Sequence, residues 1–231
     1  MIRVNKISKV YNGVTVLNIP SLHIKQGESF GLVGNNGAGK TTLFRCILDL
    51  IRPNTGEVFS TQMDVSKSMD WKTYTGSYLD EGFVIDFLTP EEYFQFLASI
   101  SGLSSGDLEE FYASFEEFFN GEILGKKKFI RDLSSGNQKK VGIAAALIAK
   151  PDVLILDEPF NSLDPTTQIR LKNLLKDLQQ KYKTTMLISS HDLNHVTEVC
   201  ERIVVLHKGE IAHDIQTKMD TLKVLEEYFA V

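Results

Sequence analysis

The chain has 231 residues, a formal charge of −5 and 42% hydrophobic residues. That length suits one large domain with room for a packed core. The mildly acidic balance speaks against broad nucleic-acid binding, because the one basic run is Lys126-Lys127-Lys128, which reads as a solvated loop.

In chain order, segments 2–7, 14–24 and 28–33 read as strands, 40–50 as a helix and 56–61 as a further strand. The stretch 89–119 is helix-like and dense in aromatics: Tyr93, Phe94, Phe96, Phe111, Tyr112, Phe115, Phe118 and Phe119. Thr89-Pro90-Glu91-Glu92 has the signature of a helix start, and residues 104–107 mark a break before a second helix. We expect a helical subdomain over about 83–149, inserted into a single domain spanning 1–231. Most of those rings should form its core, with some left as a docking patch.

Beyond residue 150 the order is strand 153–156, helix 167–182, strand 185–189, helix 193–200 and strand 203–206. A turn at Lys208-Gly209-Glu210 leads into strand 211–214, and helix 219–229 follows. Such alternation predicts an α/β fold whose core is a mainly parallel sheet with helices on both faces. The closely spaced early strands predict an antiparallel sheet beside it. Cys46 and Cys200 read as reduced core thiols without metal spacing. Met1 leads straight into a strand-like segment, so no signal peptide is expected. No apolar run is long enough to cross a bilayer, so any membrane role would need a partner chain.

The run Gly34-Asn35-Asn36-Gly37-Ala38-Gly39-Lys40-Thr41-Thr42 lies between the third strand and the first helix and fits G-x-x-x-x-G-K-[ST]. Glycines let the backbone curl with its N–H groups inward, and the next helix points its positive end at the same place. That cradle suits the phosphates of a nucleotide. Lys40 would reach the β- and γ-phosphates, and the Thr41 hydroxyl would hold Mg²⁺. The apolar run 153–156 ends in Asp157 and Glu158. A buried parallel strand delivers such residues to the ligand crevice. Asp157 would bind Mg²⁺ beside Thr41, and Glu158 would polarise the attacking water.

The order of motifs resembles that of the ATP-binding subunits of ABC transporters over nearly the whole chain. Leu133-Ser134-Ser135-Gly136-Asn137 looks like that family's signature loop. Ser162-Leu163-Asp164 resembles its loop across the dimer contact. His191 sits where the family keeps a switch histidine, and Tyr11 where a ring stacks on adenine. The resemblance implies a P-loop NTPase fold of ABC type with an antiparallel β subdomain and an inserted helical subdomain. It implies a head-to-tail dimer, by expectation of identical chains. Each ATP would lie on Lys40 of one chain and under Ser134 and Gly136 of the other. In this picture Gly136 begins a helix over 137–149, whose N-terminus stabilises negative charge. The function implied is ATP hydrolysis that powers transport through separate membrane permeases. The chain would sit on the cytoplasmic face of the cell membrane, and the helical subdomain would meet the permease.

Two departures stand out. Ser135 replaces a glycine and Asn137 a glutamine of the usual Leu-Ser-Gly-Gly-Gln. The glutamine that usually links Mg²⁺ to the helical subdomain is missing from Ser77-Tyr78-Leu79-Asp80-Glu81-Gly82, where Glu81 is the best positional match for a metal ligand and Asp80 the next. Taken alone, the shorter matches also read as ordinary structure: a helix cap at 134–136, a strand-end histidine, a packed surface ring at Tyr11 and a helix start at Asp164. A soluble, non-transport ATPase of the same group, acting as a mechanical clamp, is the alternative function. The GTPase run N-K-x-D is absent, since Asn5-Lys6 is followed by Ile7-Ser8.

Overall fold

The central strand of the molecule is β3 (Ser29–Val33), buried along its whole length. The computed structural model describes residues 1–230, with the backbone alone at Glu81. Before β3 come β1 (Ile2–Tyr11) and β2 (Val14–Ile24); after it come α1 (Lys40–Ile47), β4 (Thr55–Ser60), β5 (Met63–Asp64) and β6 (Thr75–Tyr78). The middle of the chain supplies α2 (Pro90–Ile100), α3 (Ser105–Ser114), α4 (Glu116–Phe119) and α5 (Ser135–Leu147). The rest is β7 (Val153–Leu156), α6 (Pro165–Tyr182), β8 (Thr185–Ser190), α7 (Leu193–Val199), β9 (Arg202–His207), β10 (Glu210–Gln216) and α8 (Thr221–Phe229).

Two sheets result. One is antiparallel, in the order β2-β1-β4-β5, and the other has the order β10-β9-β3-β8-β7-β6. In the second sheet β3, β6, β7, β8 and β9 run parallel, and β10 alone pairs antiparallel. Its side chains alternate between two cores, as the twofold period of a strand requires. Val153, Ile155, Leu187, Val204 and Leu206 face the side covered by α1 and the antiparallel sheet. Leu154, Leu156, Met186, Ile188, Ile203 and Val205 face the side covered by the remaining helices. Burial on both faces explains why these strands read as continuous apolar runs.

Capping residues set the helix starts. Thr89 and Glu92 form a capping box at α2, with Pro90 in its first turn, and Ser104 and Asp107 form another at α3. Most of the aromatics are core: Phe94 is fully buried, and its ring meets Phe111 at 5.2 Å edge-on and Phe119 at 5.8 Å. Phe96 is exposed, as are nearby Phe83, Phe87 and Ile100. Some expectations need correction. Strand β1 continues to Tyr11 because it pairs with β2 along its length. Strand β6 was not foreseen; it pairs with β7 at the sheet edge. Helix α5 begins at Ser135, capped by Ser134 accepting from the Asn137 N–H, so Gly136 lies inside the first turn rather than before it.

Candidate functional site

The carboxyl ends of β3, β7 and β8 meet at one place, the usual position of a ligand crevice in a parallel sheet. From β3 the chain turns through 34–39 into α1. The crest of this loop, Asn35, Asn36 and Gly37, is exposed, while Ala38 and Lys40 are buried. Gly39, at the helix N-cap, has φ +106°, a conformation side chains avoid. A Cβ on Gly39 would lie 2.8 Å from the Val16 carbonyl, and one on Gly34 would lie 2.4 Å from the Leu206 carbonyl. The loop is therefore pressed between β2 and the end of β9, and its shape is fixed by the fold.

Lys40 is 6% exposed. Its Nζ donates to the Gly34 carbonyl at 2.7 Å and pairs with Glu158 Oε1 at 3.3 Å. The Thr41 hydroxyl donates to Asp157 Oδ2, and the Ser189 hydroxyl to Asp157 Oδ1. Asp157 is buried, and burial pushes its carboxyl above the usual carboxylate range; the Ser189 and Thr41 hydroxyls pull the other way. His191 reaches Glu158 Oε2 twice, through Nδ1 at 3.0 Å and its backbone N–H at 3.3 Å. The Glu158 carboxylate thus bridges Lys40 and His191.

Hard oxygen ligands are what Mg²⁺ takes, with several places left to water and phosphate. The Thr41 hydroxyl beside the Asp157 carboxylate fits that demand. No cluster of three or more His, Cys, Asp or Glu side chains able to hold a metal occurs among the described residues. The Glu81 side chain lies outside the described residues. Its neighbour Asp80 is placed by Arg45 Nη2 at 3.4 Å and by the Gly82 N–H at 2.9 Å.

The other predicted residues lie apart from this network. Tyr11 stands at the end of β1, 45% exposed, with Lys9 Nζ 5.1 Å from its ring centroid. Thr42 is partly exposed in the first turn of α1. Ser134 and Ser135 are exposed, and the loop leading to them borders a hollow of about 420 Å³. Lys126, Lys128, Asp132 and Asn137 also line that hollow, and no residue of the phosphate loop does. Asp164 caps α6 through the Thr167 N–H at 3.0 Å.

Two residues of the site escaped the sequence reading. Ser189 joins the acids, since its hydroxyl also accepts from the Glu158 N–H at 2.9 Å. Lys139, buried on α5, donates to the Glu158 carbonyl at 3.0 Å. A serine ending an apolar strand and a lysine within a helix carry no signal of their own; adjacency to His191 and to the signature loop was the only hint available.

Comparison with known proteins gives a consistent picture. The family model described as "ABC transporter" matches residues 17–161. The bacitracin transport ATP-binding protein BcrA of Enterococcus faecalis is 33% identical over 222 residues, which is 93% of this chain and 69% of that one. The methionine import ATP-binding protein MetN of Carboxydothermus hydrogenoformans is 31% identical over 222 residues, 93% of this chain and 66% of that one. Among solved structures, the dimeric MJ0796, a bacterial ABC transporter cassette, superposes with a TM-score of 0.83 at 25% identity, covering 94% of this chain and 99% of that one.

Proposed function

The chain belongs to the ABC transporter family as an ATP-binding, ATP-hydrolysing component, and on that premise we propose that it powers transport by closing on ATP as a dimer of identical chains. The observation that carries this reading is the bridging of Glu158 between Lys40 and His191, beside Asp157 bonded to Thr41.

Phosphoryl transfer to water is mostly a matter of placement and charge stabilisation. In our reading the N–H groups of 34–42 cradle the phosphates and Lys40 neutralises the β- and γ-phosphates. Thr41 and Asp157 would hold Mg²⁺, whose charge would offset that of the phosphates. Glu158 takes the proton of the attacking water, and His191 fixes the Glu158 carboxylate and contacts the γ-phosphate. Tyr11 stacks on adenine. A second copy contributes Ser134 and Gly136 from the N-terminus of its α5, adding donors where charge develops.

No helix among the described residues is long and apolar enough to cross a membrane. We assign the passage itself to separate permease chains and place this chain on the cytoplasmic face of the membrane. A groove of about 590 Å³ lined by Tyr78, Phe83, Val84, Tyr93, Leu97 and Ile100 joins β6, α2 and α5. An apolar segment of the permease docks there.

The test is Glu158→Gln. Phosphate release at saturating ATP should fall about 10²-fold or more, the range of a lost general base, while ATP affinity survives. The variant saturated with Mg·ATP should run as a dimer in sedimentation. Near-normal turnover would refute the role of Glu158, and a monomer under those conditions would refute the dimer. Co-purification with a multi-span membrane chain separates transport from a soluble clamp.

A further inference from the structure

We propose that Lys139 is a positioning residue for hydrolysis, tying the first turns of α5 to the backbone of Glu158 and so aiming the Glu158 carboxylate. The inference rests on the proposed function, in which Glu158 activates water. Lys139 is only 6% exposed. A buried ammonium persists when strong acceptors replace its water. Its Nζ donates to the Glu158 carbonyl at 3.0 Å. The Asn161 N–H donates to the same oxygen at 3.3 Å.

Glu158 needs such holding. Its φ is +48°, in the left-handed region that non-glycine residues seldom occupy. Such a conformation lasts only where the surroundings over-determine it. Here the N–H of Glu158 is held by Ser189 on β8, at 2.9 Å, and its carbonyl by Lys139 on α5. Both peptide groups flanking the Cα are thereby held by side chains, which sets the direction of the Cα–Cβ bond, and Lys40 and His191 take up the carboxylate from there.

A second contact joins the same two segments. A Cβ on Gly136 would come within 2.7 Å of the Ser162 carbonyl, so the first turn of α5 lies directly against the loop that follows Glu158. In the proposed dimer Ser134 faces one nucleotide and Glu158 serves the other. The Lys139 bond connects the two.

The experiment compares wild type, K139M and K139R by phosphate release over a range of ATP concentrations. Methionine keeps the stem's volume and removes the donor; arginine keeps a donor. K139M should lower kcat roughly tenfold with KM within twofold, because a small misplacement of a catalytic group is costly. K139R should recover to within threefold of wild type. The same change made in E158Q, followed in single turnover, should cost less than twofold, because a residue acting through Glu158 has nothing left to aim. Turnover of K139M within twofold of wild type would overturn the proposal. So would a loss in the E158Q background as large as in the wild type. Should K139M not fold, as judged by thermal unfolding, K139L, which also lacks a donor, serves in its place under the same two criteria. Absence of ATP hydrolysis by the wild type would instead count against the proposed function.

Discussion

The two places singled out for phosphate contact are built in opposite ways. At the ends of β3, β7 and β8 the side chains hold one another: Thr41 and Ser189 bond Asp157, and Lys40 and His191 reach Glu158. At the start of α5, Ser134 and Ser135 are exposed, and among the described residues the Ser134 hydroxyl accepts from the Asn137 N–H at 3.3 Å. A closed network reveals the role of each member through its partners. An open one presents donors outward, and its complement has to come from another molecule. We read the first as the half-site that binds ATP within a chain and the second as the half-site offered to a partner.

The sharpest way to break this contrast is Lys40→Ala. Truncating a buried, bonded charge costs several kcal/mol, much of it for the groups left behind. ATP affinity of the single chain should drop roughly 10²-fold, read by nucleotide titration. An unchanged affinity would mean that the closed network is not the primary grip on the nucleotide.

The complementary change is Ser134→Ala. A hydrogen bond to a charged group is worth about 1.5–3 kcal/mol, so its loss should lower turnover tenfold or more. Affinity of the single chain for ATP should not move, whereas ATP-driven dimerisation of the Glu158→Gln form should weaken. Equal loss in both assays would erase the distinction between the half-sites.

The same contrast marks how far the sequence could be read. The strand β7 with its terminal acids was legible because it is buried on both faces and so is apolar without interruption. Helix α2 was legible from its cap, Thr89 with Pro90, whereas α6, read from residue 167, begins at Pro165 after the Asp164 cap. Strand β6, Thr75–Tyr78, was not: Thr, Gly and Ser carry no alternation, and pairing with β7 makes it a strand. The phosphate loop, Asp157 and Glu158 were visible as patterns along the chain, and His191 only through the family resemblance. Ser189 and Lys139 were not, because only folding brings them to Glu158. The thiols agree with their reading: Cys46 and Cys200 are both free and buried, and burial pushes them up to about 11 and about 12.

The smallest expected effect tests whether a residue can belong to both kinds of site. Asp164 caps α6 through the Thr167 N–H and the Thr167 hydroxyl. It also lies in the loop that we place at the dimer contact. If capping matters in the isolated chain, Asp164→Ala should lower monomer stability by about 1 kcal/mol or less, since the cap is exposed. For a chain of this size that is a Tm shift of roughly 2–4 °C, read by thermal unfolding without nucleotide. The sign with pH follows from the Asp164 carboxyl, which the Thr167 hydroxyl and backbone hold below its usual value. A depressed carboxylate contributes stability above its unfolded pKa, near 3.9, and loses it as pH falls through the lower folded value. The gap between wild type and variant should therefore be constant near neutrality and narrow below about pH 4. A variant with unaltered monomer Tm but weakened ATP-driven dimerisation would make Asp164 a contact residue alone, as open in character as Ser134.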